Sequence, residues 1–303
     1  MPQDAGILTE LLGVFLGLFT AGLARTIPDA LDLLRWLAVI EIAMLAIRWG
    51  ATRQIEAFAL AMLIAGVSVV QWMILQWPSL LKWAMNTFVG VGLKAGGDAL
   101  SVTDFTDPAN IANYGLSVTA VIFARLKDYS GISAVLNIPE VFLSGLSAWC
   151  VVITYFALAC WAFLVIVGFY ASGTLAIVLL PFAIFRWGTW LAEKALGFVA
   201  AAAIQAMSLA FILSLALPAL IRYQPGMNPT LRECFMMLLV AMVLSFMAAG
   251  GAAFGFALIH GAPQLSLGQA TQYVSNAMSS VIAATHAASS TRAATQPSVG
   301  RQG

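Results

Sequence analysis

VFLSGLSAWCVVITYFALACWAFLVIVGFYASGTLAIVLLPFAIF, from Val141 to Phe185, contains no Asp, Glu, Lys or Arg. These 45 residues, bounded by Glu140 and Arg186, are about twice the ~20 apolar residues that carry one helix across a bilayer. As a single straight helix they would make a rod of about 67 Å against a hydrocarbon core of ~30 Å, so the segment must bend. Ala171, Ser172, Gly173 and Thr174, with Pro181 beyond them, mark the break between a full span and a second helix that re-enters or lies at the interface.

The rest of the chain agrees. Hydrophobic residues make up 61% and charged residues 9%, where a soluble domain carries about 25% charged. Three more charge-free windows, Ala57 to Leu81, Ala195 to Ile221 and Cys234 to Ile259, are each about 25 residues long, enough to span with some tilt. Leu33 to Ile47 is a weaker span interrupted by Arg35 and Glu41, and Leu11 to Ala24 is too short to cross alone. Continuous apolar runs without strict alternation exclude a membrane barrel, because a backbone in lipid must close its own hydrogen bonds. The predicted class is therefore all-α: a polytopic helical membrane protein with about five transmembrane helices plus re-entrant or interfacial helices.

The same reading divides the chain. Residues 1–32 form an N-terminal external or interfacial segment, and residues 33–81 the first two membrane spans. Residues 82–140 form a large external, periplasmic segment. Residues 141–259 hold the remaining three spans, with a break near 173 and a cytoplasmic elbow at 186–194. Residues 260–303 form a cytoplasmic tail whose end, from Ser289, has too little apolar surface to repay ordering. An acidic residue, Glu10, precedes the first apolar stretch and no basic region does, so a cleaved secretory signal is not expected.

Orientation follows short-loop cations, which concentrate on the cytoplasmic side. The turn Arg48 to Glu56 holds Arg48 and Arg53, and the turn Arg186 to Lys194 holds its two terminal cations. In the long 82–140 segment Lys82, Lys94, Arg125 and Lys127 are offset by Asp98, Asp104, Asp107, Asp128 and Glu140. With an odd number of spans the N-terminus lies outside and the tail after His260 inside. Trp49, Trp187 and Trp190 fall at the proposed inner ends, and Trp77, Trp83 and Trp149 near the outer ends, as indoles favouring the headgroup region would.

Within the external segment, Lys82 to Lys94 either continues the second span or lies on the membrane surface. Ile111 to Ala124 is apolar but too short to cross, which suggests a re-entrant hairpin. Between them SVTDFTDPAN, Ser101 to Asn110, is turn chemistry, in which Asp and Thr compete for backbone hydrogen bonds and Pro108 ends a helix before it. Its two Asp, Asp104 and Asp107, lack the glycine turn and closing Glu of a calcium loop, so no metal is assigned.

Small residues let membrane helices approach closely. Gly13 and Gly17, continued by Ala21, form one stripe, and Gly251 and Gly255 another; both are candidates for helix packing or an oligomer interface. Glu41 is the one acidic residue deep inside a candidate span, which makes it either a polar lining or a contact between helices. Arg35 is placed to reach Asp32 at i, i+3. Cys150, Cys160 and Cys234 lie in or at apolar runs and read as small hydrophobes.

No catalytic, cofactor or metal site is predicted. Walker, HExxH and CxxC signatures are missing. Gly145, Leu146, Ser147 and Ala148 resemble the GxSG nucleophile motif of rhomboid proteases only in part, and His260, the nearest base, lies at the opposite face in this topology.

From Gly173 to Leu213 the chain reads GTLAIVLLPFAIFRWGTWLAEKALGFVAAAAIQAMSLAFIL: a helix ended near Pro181 and Phe182, a turn anchored by Trp187 and Trp190, an ion-paired Glu193 and Lys194, and a return helix of small residues. This order, PF, a hydrophobic turn, LAEKALG and an alanine-rich span, resembles the TrbL-type family of polytopic inner-membrane proteins of conjugative type IV secretion systems. Pro181, Phe182, Glu193, Lys194 and Gly197 match the motif. The resemblance implies a platform and channel-forming subunit in a bacterial inner membrane, a homo-oligomeric ring that supports pilus assembly and substrate passage. It also implies pilus or stalk subunits and ATPases as partners, with direct DNA contact left open. The tail is shorter than in many relatives. A stand-alone secondary transporter is the rival reading, though only one broken region and no inverted repeat is evident. The long apolar surfaces and tryptophan belts leave room for structural phospholipid among the membrane lipids, and no other cofactor is expected.

Overall fold

The computed structural model describes residues 6–52, 57–128 and 138–222, together with 232–233, 235–240, 242–244 and 246–247. Among the described residues there is no strand. The helices are α1 (Ile7–Thr52), α2 (Ala57–Ala95), α3 (Val102–Phe105), α4 (Pro108–Asp128), α5 (Ile138–Ala176) and α6 (Thr189–Arg222), with a 3-10 helix at Leu180–Ile184 between the last two. Four of them are long and apolar enough to cross a membrane: Ile7–Thr52, Ala57–Ala95, Val141–Ala176 and Thr189–Ala216. Of the fifth expected span, Cys234 to Ile259, a shorter apolar helix at Phe235–Leu244 is described, with Phe246 and Met247 beyond it; Gly251, Gly255 and the tail lie outside the described residues.

Two expectations change. The apolar pattern predicts separate pieces before and after residue 32, yet α1 is one helix through both, with Pro28 inside it. Arg25, Asp29, Asp32 and Arg35 all sit on this one unbroken helix. In α2 the helix runs through Pro78 to Ala95, so of the two alternatives for Lys82 to Lys94 the helix of the second span continues through them. The break after α5 falls beyond Ala176, a few residues past Gly173.

Packing follows from these lengths. Phe15 meets Phe163 edge-on at 5.9 Å and Gly22 stands by Thr174, so α1 and α5 run in the same direction. Gly92 abuts Met207 and Ala210, and Gly96 abuts Phe211 and Ser214, so α2 and α6 also run together. α4 folds back along α5, with Gly115 against Tyr155 and Phe123 against Trp149. The core between them is aliphatic and aromatic, and includes Leu34, Ile74, Met85, Phe105, Leu158, Phe169 and Ile177. No residue of α1 beyond Leu37 and none of α2 before Val70 is buried. The end of α1 and the start of α2 are therefore the least enclosed part of these helices, an arm about 20 Å long at ~1.5 Å per residue that meets the 3-10 helix where Gly66 stands by Ile184.

Candidate functional site: a broken hairpin at a charged belt

The hairpin between α5 and α6 holds the motif. Near the end of α5, Ser172 and Thr174 turn their hydroxyls back onto the carbonyls of Phe169 and Tyr170 at 2.7 and 2.8 Å, which lets polar side chains sit in an apolar helix. Pro181 enters at the first turn of the 3-10 helix, where a missing N–H costs nothing. Phe182 and Phe185 continue the chain through short-range bonds to Leu179 and Phe182. Gly188 donates to Phe185 at 2.9 Å and opens α6; a Cβ there would stand 2.9 Å from the Phe182 ring, so a glycine is needed beneath it.

A tryptophan fixes the hairpin to α2. The Trp77 indole N–H donates to the Gly173 carbonyl at 2.8 Å from a nearly dry position. One turn on, Leu81 fills the space where a Gly173 Cβ would be, at 2.6 Å. Trp77 is thus a core residue, and its placement in an outer aromatic belt is corrected: burial with a satisfied N–H replaces the headgroup environment. Trp83 and Trp149 are exposed.

The motif residues are not gathered into one cluster. Pro181 is buried and Phe182 half-buried inside the elbow, whereas Glu193, Lys194 and Gly197 are exposed on α6. The expected Glu193–Lys194 ion pair does not form among the described residues. Adjacent helical positions diverge by about 100°, and Lys194 instead places its ammonium 4.9 Å from the centroid of the Trp190 ring, one turn back. A Cβ on Gly197 would meet nothing within 4 Å.

The 3-10 helix packs on α1, where Ile27, Leu31 and Leu34 join the shared core among the charged positions Arg25, Asp29, Asp32 and Arg35. Arg35 pairs with Asp32 at 2.8 Å, as its spacing predicts. With Arg186, Glu193 and Lys194 these groups make a charged belt at the level of the elbow, and Trp36, Trp187 and Trp190 are exposed beside it. Glu41 lies just beyond, on the arm, half-buried and without an ion pair or hydrogen bond among the described residues. Gly13, Gly17 and Ala21 face outward, and a Cβ on either glycine would meet open space.

The opposite end is held by contacts between positions far apart in sequence. Gly92 and Gly96 form a GxxxG pair against α6; a Cβ on Gly92 would lie 2.2 Å from the Met207 carbonyl oxygen and one on Gly96 2.7 Å from that of Phe211. α2 then closes in a Schellman motif: Asp98 N–H donates to Leu93 at 2.9 Å and Gly97 N–H to Lys94 at 3.2 Å, with Gly97 at φ +103°. Ser214 of α6 completes the cap, donating to the Leu93 carbonyl and accepting from the Ala99 N–H, each at 3.1 Å. Ser101 and Asp104 make a reciprocal capping box for α3. Asp107 accepts from the Thr9 hydroxyl and from the Ala109 N–H, tying the start of α1 to that of α4. Asp104 and Asp107 are thus committed to backbone capping and to Thr9. The GxxxG spacing at Gly92 was a readable signal; the Trp77 and Ser214 contacts, across 96 and 115 or more positions, had none.

Residues 38–251, more than half of the chain, match the family model described as TrbL/VirB6 plasmid conjugal transfer protein. No curated protein and no solved structure matches the chain.

Proposed function

The chain belongs to the TrbL/VirB6 plasmid conjugal transfer family, and from that premise we propose that it is the platform and channel-forming subunit of its type IV secretion system. It is a membrane-embedded structural component of conjugal transfer. In this reading it sits in the inner membrane as a homo-oligomeric ring, with its N-terminus periplasmic and its tail cytoplasmic. It supports pilus assembly together with pilus or stalk subunits and ATPases.

The observation that carries the oligomer is how the buried polar side chains are used. Thr119, Ser147, Ser172 and Ser208 are buried, and each hydroxyl donates to a carbonyl of its own helix. Buried and bonded in this way, these groups open onto no hydrated path within one copy, and in this reading passage of a substrate runs between copies rather than through one. The outward stripe of Gly13, Gly17 and Ala21 supports the same reading.

The test is the mass of the protein in lipid nanodiscs, with transfer frequency measured in a strain lacking this chain. A discrete assembly of several copies and loss of transfer with ATPase activity intact are the expected results. A monomer at all concentrations overturns the ring. Solute uptake by the purified protein alone in liposomes overturns the platform and favours a transporter.

A further inference from the structure

The elbow displays side chains that the packing of the fold does not use. Arg186 is exposed and makes no ion pair or hydrogen bond among the described residues. Trp187 is 72% exposed and Trp190 52%. Lys194 holds its ammonium over the Trp190 ring. These two cations and two indoles lie within nine residues, 186–194, at the turn into α6.

Each group suits one kind of ligand. Indole rings favour headgroup depth, where one edge is apolar and the other wet. A guanidinium presents a planar fork that matches two phosphate oxygens. An ammonium stacked on a ring has already lost part of the freedom that binding would otherwise remove. Three carboxylates bear on the site. Glu193 neighbours Lys194 but diverges from the Trp190–Lys194 face by about 100°. On α1, against which the elbow packs, Asp32 is engaged by Arg35 and Asp29 is exposed.

We propose that Arg186, Trp187, Trp190 and Lys194 bind the phosphate of an anionic phospholipid headgroup, with the indoles lying along the glycerol and first methylenes. A phosphate group could come from a lipid or from free solution, and the experiment separates the two. The proposal needs only that the elbow stands at headgroup depth; a symmetric disc without secretion partners tests it, so its failure leaves the platform reading untouched.

The full chain is reconstituted in nanodiscs of equal phosphatidylglycerol and phosphatidylcholine, and the lipids that remain bound on release are counted by native mass spectrometry. The wild type is expected to retain the anionic lipid preferentially. Arg186→Gln and Lys194→Gln should each lower that retention about fivefold, the effect of one cation near an anionic surface. Glu193→Gln should raise it, an outcome that misfolding cannot produce. Equal retention of both lipids by the wild type, or unchanged retention in the double Gln variant, overturns the site. Displacement of the lipid by millimolar inorganic phosphate overturns the lipid assignment in favour of a free-phosphate site.

Discussion

At the scale of single residues, the contact between Trp77, Leu81 and Gly173 decides how the hairpin is held. Trp77→Phe keeps most of the apolar contact but leaves the Gly173 carbonyl without the indole donor. A loss of about 1–2 kcal/mol is expected, seen as a lower unfolding temperature in detergent. Gly173→Ala should cost more, because the new methyl would stand 2.6 Å from both Leu81 terminal carbons. Combining it with Leu81→Ala should recover part of the loss; strict additivity would show that the two do not share the space. Ser214→Ala removes a donor to Leu93 and an acceptor for Ala99 at once, with an expected cost of about 1–3 kcal/mol. Little of this is legible in sequence. A tryptophan near the end of an apolar window reads as a headgroup anchor, and only the fold shows that its partner is a carbonyl 96 positions away. The Arg35–Asp32 pair was legible because both residues lie within one helical turn.

At the scale of elements, two glycine pairs of the same spacing behave in opposite ways. Gly92 and Gly96 are closed against α6 backbone, whereas Gly13 and Gly17 open onto space. Gly92→Ala forces a methyl toward a carbonyl that cannot rotate away, and should separate α2 from α6 and lower the unfolding temperature sharply. Gly13→Leu with Gly17→Leu should leave that temperature unchanged within error and reduce the copy number in native mass spectra. An unchanged copy number would remove the stripe from the interface. Spacing alone cannot tell the two pairs apart; what distinguishes them is whether another helix of the same chain reaches that face. The helical spans themselves were legible, since charge-free runs of bilayer length admit few other structures. The continuity of α1 was not, because four charges between Arg25 and Arg35 look like the end of a membrane segment. In the folded chain those charges stay on the surface while Ala30 and Leu34 are buried between them.

At the scale of the whole molecule, the two ends differ in how firmly they are tied. One end is fastened by the Schellman turn, the Ser214 cap, the α3 capping box and the Thr9–Asp107 contact. The arm at the other end has no fully buried residue between Leu37 and Val70 among the described residues, and carries Glu41 without a partner among them. Glu41→Gln is therefore expected to leave the folding of one copy unchanged; a fall in transfer frequency would place a subunit contact on the arm, and wild-type transfer would exclude one. The contrast between a braced head and a sparsely packed arm would let the molecule work as a lever with its fulcrum near Leu37 and Val67. Over an arm of about 20 Å, a tilt of about 10° at that fulcrum carries the tip through roughly 3.5 Å while the head stays still. A push delivered by a neighbouring machine part at the tip would then be gathered at the fulcrum as torque, and paired spin labels at Gly50 and Lys94, both exposed, would record it as a change of distance confined to the arm.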